Sequence, residues 1–85
     1  MIKPAPIRIW RDPTRRDVEE LCRELGGELF VRPAYDGHRL GAGARAFYKR
    51  SVVDGVTVNM WIGYAREGQR PDWRDMLKRL GSDWA

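Results

Sequence analysis

The stretch AFYKRSVVDGVTVNMWIGYA, residues 46–65, decides the fold. Asp54-Gly55 stands between Val52-Val53 and Val56-Thr57, and that dipeptide between β-branched pairs is the signal of a two-residue type I′ hairpin turn. Ala46 to Val53 and Val56 to Ala65 are therefore expected as paired antiparallel strands. A two-residue turn also fixes register. It sets Val53 against Val56, Ser51 against Val58, Lys49 against Met60 and Phe47 against Ile62 on one face, which is expected to be mostly core. The other face carries Val52 with Thr57, Arg50 with Asn59 and Tyr48 with Trp61. That second face, a cross-strand aromatic pair beside an arginine and an amide, is expected to see solvent.

Working outward, Glu28 to Tyr35 (ELFVRPAY) reads as another strand, with Pro33 marking an edge or a bend. The glycine-rich segment from Asp36 to Arg45 reads as a mobile loop. Ahead of these, Val18, Leu21, Cys22 and Leu25 fall at i, i+3, i+4 and i+7, one stripe of a helix. Its start is marked by Pro13 and by Thr14-x-x-Asp17, an approximate capping box, and its stop by Gly26-Gly27. On its outer face Arg15 can meet Glu19, and Glu19 can meet Arg23, at i,i+4 spacing. A closing helix over Pro71 to Leu80 repeats the stripe with Trp73, Met76, Leu77 and Leu80, and Gly81 ends it. Ile7 to Trp10 alternates as a short first strand should. The expected order is β-α-β-β-β-α: a two-layer α+β fold, an antiparallel sheet of three to four strands with both helices packed on one face, forming a single domain over 1–85.

Composition narrows the chemistry. At 85 residues the chain supports one small core. No apolar run approaches the roughly 20 residues of a membrane helix, and Met1 to Trp10 lacks the hydrophobic stretch of a secretory signal, so a cytoplasmic location is expected. One cysteine, Cys22, and one histidine, His38, cannot build a Cys/His zinc site within one chain, and no metal or cofactor is expected. Cys22 reads as a small buried side chain, since nothing nearby forms a nucleophile motif. Gly41-Ala42-Gly43 lacks the Gly-Lys-Ser/Thr ending of a phosphate-binding loop. The formal net charge is +4, and all basic residues except Lys3, Lys49 and Lys78 are arginine, the side chain whose planar fork binds phosphate or carboxylate.

These features favour a small, non-enzymatic module that contacts RNA or DNA through Tyr48, Arg50, Asn59 and Trp61, with Arg39 and Arg45 reaching from the loop. Aromatic side chains on a sheet stack unpaired bases, and neighbouring arginines hold the phosphates. A protein partner is the first alternative, because Trp, Tyr and Arg are also the anchors of protein interfaces. The chain would then be an inhibitor or adaptor of the anti-defence kind carried by phages and mobile elements, and the same sheet face could also form a homodimer.

From the first helix onward, the α-β-β-β-α order is similar to that of double-stranded-RNA-binding domains and of the HicA family of small RNA-cleaving toxins. The positions that carry the likeness are Gly37-His38 in the first hairpin and Asp72 to Leu80 as the last helix. Arg39 stands where that family has a second adjacent histidine, and Pro71-Asp72-Trp73-Arg74-Asp75 replaces the lysine cluster of double-stranded-RNA binders. The resemblance implies a ribonuclease as a further alternative, with His38 as the catalytic base.

Overall fold

The computed structural model describes residues 10–34 and 41–81. The expected strand residues Ile7 to Ile9 and the candidates His38 and Arg39 lie outside the described residues. Among the described residues the elements run α1 (Arg15–Glu24), β1 (Glu28–Pro33), β2 (Arg45–Val53), β3 (Val56–Ala65) and α2 (Trp73–Arg79). This is an α+β architecture with one three-stranded antiparallel sheet in the order β1-β2-β3.

The helix boundaries follow from local chemistry. At the start of α1 the Thr14 backbone N–H donates to Asp17 Oδ2 at 2.8 Å, so a carboxylate satisfies a donor at the positive end of the helix. At its end Gly27 N–H donates to Cys22 O (2.8 Å) and Gly26 N–H to Arg23 O (3.0 Å), the paired bonds of a Schellman motif, with Gly26 at φ 85°. Leu25 leaves the helical stripe here: it is the C-cap and is exposed, where the spacing placed it in the core. The pair Arg15–Glu19 (3.5 Å) forms as expected, and Arg16–Glu20 (3.2 Å) joins it. In α2 the Asp72 carboxylate accepts from Asp75 N–H at 3.0 Å and caps a helix whose first residue, Trp73, lies two residues inside the expected start.

Both helices close on one face of the sheet. Val18, Leu21 and Cys22 of α1, Phe47 of β2, Ile62 and Ala65 of β3, and Met76, Leu77 and Leu80 from α2 and its end form the core. Trp10, Leu29, Val31 and Trp73 pack around it, and the Phe47 and Trp73 rings meet edge to face at 5.5 Å. Arg74 ties the incoming chain down by donating from Nη2 to Trp10 O at 2.8 Å.

The hairpin turn adopts the expected geometry, with positive φ at both Asp54 (52°) and Gly55 (77°). Register runs as expected from Val53↔Val56 to Tyr48↔Trp61, and then changes. A β-bulge sets Phe47 against Gly63, not against Ile62 as strict alternation required. The helix runs close behind the strand here: a Cβ on Gly63 would lie 3.2 Å from Met76 Cε and Cγ, so a larger residue would push the Met76 side chain aside by a few tenths of an ångström. Ile62 stays inward and fully buried, and the extra residue turns Tyr64 outward and Ala65 into the core.

The core covers less of the sheet than expected. Val53, Val56, Val58 and Met60, on the face read as core, are exposed, Val56 by 61% and Met60 by 39%. The lengths explain it. The seven residues of α2 and ten of α1 reach about 10 and 15 Å, whereas ten strand residues reach about 34 Å. The hairpin overhangs its helices, and the radius of gyration, 13.8 Å, exceeds the roughly 12 Å of a compact chain of this length.

Candidate functional site

On the face opposite the helices, register brings together side chains from all three strands. β1 pairs with β2 through Glu28↔Arg50, Phe30↔Tyr48 and Arg32↔Ala46, and β2 with β3 through Arg50↔Asn59, Tyr48↔Trp61 and Ala46↔Tyr64. Side chains directly opposite in a ladder share a face, so Phe30, Tyr48 and Trp61 form one row across the sheet. The Phe30 and Tyr48 centroids are 6.2 Å apart.

Arg50 is held in place twice. Its guanidinium lies 3.8 Å from the Phe30 centroid, and its Nε donates to Asn59 Oδ1 at 3.3 Å. A cation over a ring face is worth about 0.5–1 kcal/mol at an exposed site, and the hydrogen bond to the Asn59 amide oxygen adds a second tether. The expected neighbours Tyr48, Arg50, Asn59 and Trp61 are thus brought together.

Trp61 is more covered than an open sheet face implies, at 38% exposure. Tyr64 packs on it with centroids 5.0 Å apart, a contact between residues three apart in one strand that the bulge makes possible. From the helix side, Arg79 in the last turn of α2 brings its guanidinium to 4.7 Å from the same ring while its Nε donates to Asp75 Oδ2 at 3.1 Å. Trp61 therefore stands at the rim where sheet face and helix layer meet.

Arg45 does not join this cluster. It is the first residue of β2, not a loop residue, and its guanidinium lies 5.5 Å from the centroid of Phe47, on the core side of the strand. Ahead of it, Ala34 N–H donates to Ala44 O (2.9 Å), which adds one bond to the β1–β2 pair, and Ala44 N–H donates to Gly41 O (3.1 Å), which closes a turn over residues 41–44.

Three contributors escaped the sequence reading: Phe30, Tyr64 and Arg79. Gly63 inside a strand was a signal for the bulge that brings in Tyr64. Phe30 depends on a register that no tight turn sets, and Arg79 on the packing of α2.

Among the described residues no cluster of three or more His, Cys, Asp or Glu is placed to hold a metal ion, and no helix is long and apolar enough to cross a membrane. Cys22 is fully buried, and burial pushes its thiol up to about 11, against a smaller downward pull from Lys49. A thiol that keeps its proton is a poor nucleophile. What the outer face and its rim can offer is aromatic surface and positive charge: the Tyr48 ring, and the guanidinium groups of Arg50 over Phe30 and of Arg79 over Trp61. No protein-family model, curated protein or solved structure matches this chain.

Proposed function

We propose that the chain is a non-enzymatic binding module for single-stranded RNA or DNA, with the outer sheet face as its platform. The observation that carries this reading is the row Phe30–Tyr48–Trp61–Tyr64, drawn from all three strands and carrying two guanidinium groups. Unpaired bases stack on aromatic rings and on arginine planes alike, and arginine N–H groups at the same spot meet the phosphates. The positive net charge adds a general attraction for polyanions.

Titration of labelled oligonucleotides at low salt tests it. Binding is expected to weaken linearly in log affinity with log salt, each neutralised phosphate adding about −0.7 to the slope. Tyr48→Ala is expected to lose roughly 5- to 150-fold in affinity, the worth of one stacked base at about 1–3 kcal/mol. Arg50→Ala is expected to flatten the salt slope, and His38→Ala to leave binding intact. Absence of binding at low salt removes the proposal, and RNA cleavage that vanishes in His38→Ala replaces it with the ribonuclease reading.

A protein partner is favoured by a different observation, the exposed valines Val52, Val53 and Val56 around the hairpin turn. Binding of that kind is apolar and keeps its affinity as salt rises.

A further inference from the structure

The two edges of the sheet differ in a way the sheet-face reading does not use. β1 and β3 are the outer strands. Exposed edges attract further strands, and sequences blunt them with charges and proline. β1, ELFVRP, has Glu28, Arg32 and Pro33. β3, VTVNMWIGYA, has no charged side chain and no proline over ten residues, in a chain of which 33% of residues are charged. Among the described residues no strand pairs with its outer edge.

The edge divides at Trp61. Beyond it the bulge breaks the regular ladder, and Arg79 comes round from the helix layer. Before it, Val56 to Met60 is regular, each residue matched one for one with β2, and every residue of it is exposed. This segment alternates strictly: Val56, Val58 and Met60 on one face, Thr57 and Asn59 on the other.

We propose that Val56–Met60 pairs antiparallel with the same segment of a second copy of this chain, about a two-fold axis at Val58, joining two three-stranded sheets into one of six strands. In such an isologous contact residue i faces j of the second copy and j faces i. The axis at Val58 sets Val58 against itself, Val56 against Met60 and Thr57 against Asn59. Apolar meets apolar and polar meets polar at every position, and no like charges are opposed. The same pairing gathers Val56, Val58 and Met60 of both copies, exposed beyond the helices, into one patch. The occupant is a second copy because the segment is its own complement.

Sedimentation of the full chain over a concentration series tests this, whatever becomes of nucleic-acid binding. The wild type is expected to reach dimer mass. Val58→Lys, which sets two ammonium groups against each other at the axis, is expected to stay monomeric with an unchanged denaturant midpoint, since Val58 is 45% exposed. Val52→Lys, on the neighbouring strand away from the edge, is expected to dimerise like the wild type. Val58→Cys is expected to oxidise to an intermolecular disulfide, because facing Cα atoms in an antiparallel pair lie about 4.5–5.5 Å apart, within disulfide reach; Val52→Cys is expected not to. A wild type that stays monomeric overturns the proposal. So does a dimer that survives Val58→Lys, or a Val58→Cys chain that does not cross-link.

Discussion

The sulfur of Cys22 lies where α1 meets the sheet, wholly out of water. Loss of hydration penalises the thiolate most; Lys49 offsets part of that and Glu19 adds to it, leaving the thiol at about 11. In the unfolded chain the same group titrates near its ordinary value of 9.0. Between those values the native state binds more proton than the unfolded state, so stability falls as pH rises through that window, and below it the group adds no pH dependence. Cys22→Ala removes this slope. Denaturant midpoints from pH 8 upward are expected to show the wild type losing its advantage over Cys22→Ala as pH climbs, and a constant gap would show that the sulfur is not shielded from water.

At the scale of elements, how far the helices reach along β3 decides which of its side chains carry stability. Ile62→Ala is expected to cost ~2–5 kcal/mol as a truncation inside the core. Met60→Ala, two residues away and beyond the helices, is expected to cost under about 1 kcal/mol. A sheet covered along its whole length would have made the two equal, so urea midpoints for this pair report on the overhang directly. The hairpin up to Tyr48↔Trp61 was legible because Asp54-Gly55 fixes both turn type and pairing. Its inner end was not, because no tight turn sets the pairing beyond the bulge between Phe47 and Tyr48. The same reason hid Phe30: β1 and β2 are joined through residues 34–44, and no short turn sets their register. Helix α1 was readable at both ends because caps are written within a few residues of where they act, whereas the contact of Arg79 with Trp61 exists only once α2 has docked.

For the whole molecule, two layers and one small core follow from alternating and helical patterns alone, but the split between covered and uncovered sheet depends on comparing lengths, about 34 Å of strand against about 10 Å of α2. That overhang gives the molecule two kinds of amide proton. Opening the ladder between Ser51 and Val58 uncovers little apolar surface and leaves the helices seated, whereas freeing Phe47 or Ile62 requires the core to come apart. Native-state hydrogen exchange is expected to sort into a fast class near the turn, insensitive to mild denaturant, and a slow class around Phe47, Ile62 and Leu77 that exchanges only with global unfolding. Uniform protection along both strands of a dilute sample would mean that the hairpin breathes as one piece with the core. If the two-fold pairing at Val58 forms, concentrating the sample draws the amides of Thr57 and Asn59, which point away from β2, out of the fast class and leaves that of Val52 within it.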